Sequence, residues 1–381
     1  MLLMAATVQS VFRTIGYILL ALVTLMIMIL IHETGHYAVG KALKFKINEF
    51  SIGFGPAILK VKRKNGELFS IRCIPLGGFC AFAGEDKDAV EEGDFNSQAP
   101  WKRILVLLAG VTFNFVTAII VMTIVFASYG YVLPEVTDVN APVESSTVVN
   151  LQPGDVIYQI NGKNVYTLAG FNISSLLEKD KDNEVEVTVI RGYTKSTSPS
   201  GFVITKGGEK VTIKTAYADF KSVAEDGTET IYKGLGIMTA SCSYRIGFFR
   251  ALGYSFVFFA QVVVFLFQTI GGLFTGLVSI KGAVGGPITT IGVLSSGIAN
   301  GGFRGFLYLL GLMSANLAIM NILPLPALDG SRVVFTLIEW IFRKPVPRKV
   351  EAIIHTVGLV VLFGLTIVFD ILNLGMLSSL F

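Results

Sequence analysis

Across 381 residues the chain carries 52% hydrophobic and only 15% charged side chains, where a soluble protein of this size has about 25% charged. That balance sets aside an ordinary soluble domain and points to a membrane protein. The net charge of +4 is small, and the basic residues fall in loops rather than in one patch. This argues against nucleic acid as a partner and leaves anionic lipid headgroups as the simpler reason for the basic excess. Cys73, Cys80 and Cys242 form no CxxC pair, so neither a disulfide framework nor a cysteine-ligated metal is indicated.

The first apolar run, "TIGYILLALVTLMIMILI", extends from Thr14 to Ile31 and has about 18 residues, enough to cross a bilayer. It is longer than the core of a signal peptide, has no A-x-A-like cleavage site after it, and continues directly into "IHETGH". It therefore reads as a retained transmembrane helix, within a segment 1–40. A polar loop, 41–103, follows. In it "AILKVKRKNGELFSIRCI" alternates about Asn65-Gly66, which predicts a type I′ β-hairpin. The glycine-rich "SIGFGP" and "IPLGGF" flank it and allow close backbone approach.

A second span is expected at about 104–126, in segment 104–130. Residues 131–240 read as a β-rich domain. "LQPGDVIYQINGKNV" is a turn, a strand and a second turn, "EVEVTVIRG" and "EKVTIKTAY" alternate as strands, and "GYTKSTSPSG" between them is a flexible loop. Segment 241–303 holds "ALGYSFVFFAQVVVFLFQTIGGLF" (Ala251–Phe274) and the glycine-rich "SIKGAVGGPITTIGVLSSG". A third span at about 305–325 lies in segment 304–330. A basic stretch 331–352 separates it from a fourth at about 353–374, in segment 353–381.

Flanking charges orient these spans. Lys41, Lys44, Lys46, Lys102 and Arg103 lie between the first two, and Arg343, Lys344, Arg348 and Lys349 between the last two, against lone Arg13 and Arg304 on the other side. The positive-inside rule puts both basic loops in the cytoplasm and the β-rich domain outside. If 251–274 spanned alone, Arg343–Lys349 would be outside, so that segment is expected to lie at the interface or against the bundle.

His32 and His36, four apart on a helix, share one face and can chelate one ion while Glu33 points beside it. Neutral imidazoles suit Zn²⁺, which in hydrolytic sites takes three protein ligands and a water, with the glutamate as general base. A third ligand must come from elsewhere. Asp329, in "ANLAIMNILPLPALDG", is a candidate. Thr14 to His32 rises about 27 Å at 1.5 Å per residue, and the third span rises similarly in the same direction. Both ends thus reach one depth near the cytoplasmic face. The competing role for Asp329 is helix N-cap. His355 is the rival ligand, but it starts the last span beside a basic loop and is expected to be a structural or interfacial histidine.

These segments together resemble a known family. HETGH, "NEFSIGFGP", "IPLGGF", the LQPGDVIYQING box and Asn321-x-x-Pro324-x-Pro326-x-Leu328-Asp329-Gly330 are similar to the site-2 protease family of intramembrane zinc metalloproteases, in its bacterial PDZ-containing branch. The resemblance implies four transmembrane helices, a membrane-associated β-hairpin region on the cytoplasmic side and an extracytoplasmic β-rich PDZ-like domain at 131–240. It implies an inner-membrane zinc enzyme, with His32, His36 and Asp329 on the metal, Glu33 activating water and Asn321 holding substrate. Single-span membrane proteins such as anti-sigma factors would be the substrates, with remnant signal peptides a further class. Peptide bonds inside a membrane helix are shielded, so the substrate would be unwound and paired to a strand edge. Region 47–74, near Gly53 and Gly55 or along the Asn65-Gly66 hairpin, is the expected edge. Two other readings remain: a catalytically silent homologue binding through the PDZ-like domain, and a metal transporter, whose sites usually lie near the bilayer midplane.

Overall fold

The computed structural model describes residues 2–85, 91–144, 148–165, 173–177, 184–197, 203–223, 229–276, 285–344, 346–373 and 375. They divide into two units, Met1–Val121 with Val262–Phe381, and Met122–Gln261. In the first unit, helix α1 covers Leu2–Ala42. It stops where Lys44 takes φ 64° and the Phe45 N–H reaches back to the Gly40 carbonyl at 2.9 Å, a Schellman-type ending. Phe45 then packs with Phe82, Phe95, Val106 and Leu107. The three rings lie 5.4–5.7 Å apart, and burying each contributes about 1.5–3 kcal/mol. This cluster fixes the end of α1 against strand β2 (Leu68–Phe82) and helix α2 (Pro100–Tyr129).

The expected hairpin is more folded than a simple one. Strand β1 (Ile47–Lys62) pairs with β2. Both strands bend, so Glu49–Ile52 faces Leu68–Ile71 on one side and Gly78–Ala81 on the other. The bends need glycine: Gly53, Gly55 and Gly77 have φ of 86°, 83° and 119°. The turn also differs from type I′. Gly66 alone has positive φ (89°), and Arg63 N–H meets the Glu67 carbonyl at 2.8 Å, the pattern of a three-residue loop with a bulge. Asn65 folds its side chain onto Glu67 instead of entering the left-handed region: Oδ1 accepts the Glu67 N–H and Nδ2 donates to Oε2.

Among the described residues five helices, one more than the four expected spans, have the length and apolarity to cross a membrane. They are α1 from Phe12, α2, α4 (Phe248–Thr275), α5 (Pro287–Ile322) and α7 (Arg348–Leu372). Helix α5 is two helices, because Gly302 at φ 53°, ψ −140° breaks it. Leu294 and Ile298 pack with Leu309, and a Cβ on Gly305 would lie 2.4 Å from the Gly297 oxygen. Packing between residues on either side of Gly302 requires the chain to turn back there. The glycine-rich "GGPITTIGVLSSG" stretch, for which no span was expected, is thus mostly the first arm of this helical hairpin. Residues 277–284 lie outside the described residues. The start of α5 is capped from α7: Ile288 and Thr289 N–H groups donate to Asp370 at 3.0 and 2.9 Å, a carboxylate at a helix N-terminus.

Helix α6 (Asp329–Phe342) follows a two-proline loop. Arg103 of α2, 2% exposed, pairs with Glu339 of α6 at 2.8 Å, and Arg348 of α7 reaches the same glutamate at 3.4 Å. Arg103 is buried and Glu339 half-buried, so removing the glutamate would leave a buried guanidinium uncompensated and destabilise the helix contact. The basic loop is therefore also a clamp between helices.

The second unit is the β-rich one. Its six-stranded sheet runs β3 (Tyr131–Val139), β10 (Ile237–Tyr244), β7 (Val203–Ala216), β6 (Glu184–Thr197), β4 (Val156–Ile160), β5 (Lys163–Asn164). A further β3–β4 pairing at Glu135–Val156 curls it. Val185, Val187 and Val189 alternate inward with at most 1% exposure, as period-two spacing requires. Asn161 and Gly162 both take positive φ, the turn that "QINGKN" predicts. The flexible loop read at "GYTKSTSPSG" is corrected in part: β6 continues to Thr197, with Tyr193 opposite Gly207 and Thr197 opposite Val203. Backbone pairing needs no apolar alternation on an exposed hairpin. Residues 198–202 lie outside the described set. A short helix α3 (Ile173–Leu177) and a separate hairpin of β8 (Ala218–Val223) and β9 (Glu229–Gly234) complete this unit.

Candidate metal centre

Helix geometry alone places His32 and His36 one turn apart, and both are buried, at 6% and 7% exposure. Their Nε2 atoms lie 3.1 Å apart. Asp329, at the first turn of α6, completes a triangle: its Oδ2 is 2.9 Å from His32 Nε2 and 3.2 Å from His36 Nε2. Yet Oδ2 makes a well-formed hydrogen bond to neither. Three donor atoms converge on one point, and the carboxylate oxygen is left there without a hydrogen-bond partner. Ligands held at about 2.0–2.1 Å by a tetrahedral ion are about 3.3 Å apart, so the triangle has the size of one face of a zinc site. Among the described residues these three are the group able to hold a metal ion, and two imidazoles with one carboxylate are a donor set suited to Zn²⁺.

Asp329 reaches this point because the loop before it is strongly constrained. Pro324 and Pro326 end α5, and Ala327 takes φ 73°. The Ala327 N–H donates to His355 Nδ1 at 3.0 Å. A Cβ on Gly330 would lie 2.3 Å from the Leu323 oxygen, and one on Gly358 only 2.1 Å from Pro326 Cβ. His355, the rival ligand, is thus engaged with the loop and stands outside the donor triangle.

Glu33 points beside the histidines, and its Oε2 accepts the backbone N–H of Cys80 at 3.0 Å. The second glycine of "PLGGF" makes this possible, since a Cβ on Gly78 would fall 2.6 Å from the Ser51 oxygen and 3.8 Å from Glu33 Cγ. A cavity of about 380 Å³ opens here, lined by Glu33, His36, Phe79, Cys80, Asp329 and Arg332 among others. A second cavity of about 220 Å³ shares Glu85, Arg332 and His355 with it, giving a polar approach past the Arg332–Glu85 ion pair.

The sequence-predicted substrate residues are placed apart from this lining. Asn321 donates Nδ2 to the Leu317 carbonyl at 3.0 Å, while Gly53 and Gly55 sit at the bend of β1 against Ile74 and Cys73. Sequence reasoning expected α2 as a span but missed its part in the site. A Cβ on Gly35 would lie 2.5 Å from the Ala109 oxygen, and one on Gly110 would lie 2.5 Å from His36 Nε2 and 2.6 Å from His32 Cε1. The two helices meet where neither has a side chain, with the metal-facing rings lying over Gly110. The signal was present as "GVTFN", which puts Gly110 and Asn114 one turn apart on one face.

Comparison with known proteins agrees with this geometry. A protein of Clostridium perfringens (strain 13 / Type A), bearing the name "Putative zinc metalloprotease", is 31% identical over 93% of this chain and 97% of its own length. One of Synechocystis sp., with the same name, is 31% identical over 93% and 94%. A third, from Agrobacterium fabrum, is 26% identical over 92% and 94%. The pattern of "Peptidase family M50" matches residues 20–365. With a histidine pair and an adjacent glutamate brought together with a distant aspartate, and with that match across most of its length, the chain belongs to peptidase family M50.

Proposed function

We propose that this protein is a zinc metalloprotease that hydrolyses peptide bonds in or near the transmembrane segments of single-span membrane proteins, anti-sigma factors being the expected class. The observation that carries the reading is the convergence of His32, His36 and Asp329 just past the apolar run of α1, within a helix long enough to cross a membrane. These three residues would hold the ion, which supplies a Lewis acid and makes water a competent nucleophile near neutral pH. Glu33 takes the proton of the attacking water and passes it to the leaving amine. The Cys80 N–H holds one carboxylate oxygen of Glu33 and leaves the other for that proton. A silent scaffold has no use for a carboxylate oriented in this way, which favours the enzyme over the binding homologue. Water comes through the polar cavities lined by Glu85, Arg332 and His355, from the side of the basic loops.

An unwound substrate segment exposes backbone groups that cost several kcal/mol each in an apolar setting. The strand next to the base supports a more specific edge than the sequence did: Gly78–Cys80 of β2 runs beside Glu33. The substrate strand is expected there rather than on the outer edge of β1. The check is disulfide trapping in inactive Glu33→Gln protein with Cys73 and Cys80 replaced by serine. Phe79→Cys should cross-link a cysteine at the scissile site, and Ile58→Cys should not. The reverse pattern would move substrate to the outer edge.

The charge pattern supports a cytoplasmic face for the metal end, with the β-rich unit outside as a PDZ-like filter. In that unit the edge of β10 away from β3 pairs only at Tyr244–Thr205 among the described residues, as strand addition would require. The reversal at Gly302 changes the topology argument: α4 and the first arm of α5 can span as a pair, or both stay out, without inverting the later helices. A cysteine at Ser279 should label from the cytoplasm in the first case and from outside in the second. One at Lys344 should label from the cytoplasm in both, and outside labelling there would sink the orientation.

A further inference from the structure

We infer that Asn114 is a positioning residue for His32: its side-chain oxygen holds the proton on His32 Nδ1, leaving the Nε2 lone pair for the metal. The inference rests on the zinc reading of the site. An imidazole that ligates through Nε2 must carry its proton on Nδ1, and a buried Nδ1–H needs an acceptor. His36 has one, since its Nδ1 lies 2.8 Å from the Val106 carbonyl oxygen, a group that can only accept. Among the described residues no carbonyl takes that position at His32. Its Nδ1 lies 3.3 Å from the Asn114 amide, which can either donate or accept.

The chemistry of the centre decides between the two. With Nδ2 facing His32, as placed, the ring accepts, and its own proton falls on Nε2. That proton would point at His36 Nε2, 3.1 Å away, and at Asp329 Oδ2, 2.9 Å away, into the space the ion needs. Asn114 is fully buried, and its Oδ1 has no hydrogen-bond partner. A half-turn about Cβ–Cγ brings that unpartnered oxygen to His32 Nδ1. The proton then sits on Nδ1, and Nε2 is free. Gly110, one turn earlier, is the companion feature, because only glycine lets α2 come close enough for an amide at 114 to reach the ring.

The experiment is zinc affinity by chelator competition on the full chain in detergent, for wild type, Asn114→Leu and Asn114→Asp. Leucine keeps the volume but cannot accept, and should weaken zinc binding by about 10–100-fold. The thermal unfolding of the metal-free protein should stay close to that of wild type. Aspartate accepts only, and should restore affinity to within a few-fold of wild type. A merely packing role predicts the opposite order, with the buried charge of aspartate more damaging than leucine. Leucine with wild-type affinity, or aspartate no better than leucine, would overturn the inference. Wild-type protein that takes up no zinc would overturn the metal reading itself, and this inference with it.

Discussion

Glu33→Gln should lower peptide hydrolysis by about 10²–10⁴-fold, the range over which a positioned general base acts, while zinc stays at one per chain. Glutamine preserves the carbonyl that accepts the Cys80 N–H, so the local geometry survives and only the proton acceptor is lost. Glu33 contributes no atom to the His32–His36–Asp329 triangle, so metal content should not follow activity. The measurement is zinc by atomic absorption beside turnover of a single-span substrate in detergent. Undiminished turnover would remove Glu33 from the chemistry, and loss of metal would make it a ligand.

Asp329→Ala should lose both zinc and activity, whereas His355→Ala should keep zinc bound. Asp329 supplies one of three donors, and Oδ2 faces both Nε2 atoms. Taking it away leaves two imidazoles, one short of the set that catalytic zinc requires. His355 holds the Ala327 N–H, two residues before Asp329, and its loss frees a backbone left-handed at φ 73°. The expected result is a modest fall in zinc affinity and a larger fall in turnover, since misplacement by about 1 Å costs about 10²-fold in rate. Zinc retained in Asp329→Ala and lost in His355→Ala would exchange their roles.

Much of the centre was legible in the chain, and for local reasons. An apolar run of bilayer length forms a helix whatever surrounds it, and helical periodicity puts residues 32 and 36 on one face with 33 beside them. Prolines at 324 and 326 must end a helix, which exposes Asp329 just after an apolar run. The alternation of Val185, Val187 and Val189 likewise specified a strand with one buried face.

Only the tertiary structure decided the contacts between distant segments. The Cys80 N–H on Glu33 depends on a strand pair bent at three glycines, and no periodicity announces such a bend. Taken alone, Asn114 has no sequence signal that sets it apart in α2, and it becomes informative only because Gly110 lets α2 lie against α1. The reading of 251–274 turned on a parity count, and Gly302 changes that count by a reversal within a helical stretch. His355 was expected to be structural or interfacial, but its partner, the Ala327 N–H, could not be named from sequence. The difference is physical: hydrophobic period and helix-breaking chemistry act over a few residues. The direction a buried polar group faces is set by partners that the fold brings from 47, 82 or 28 positions away.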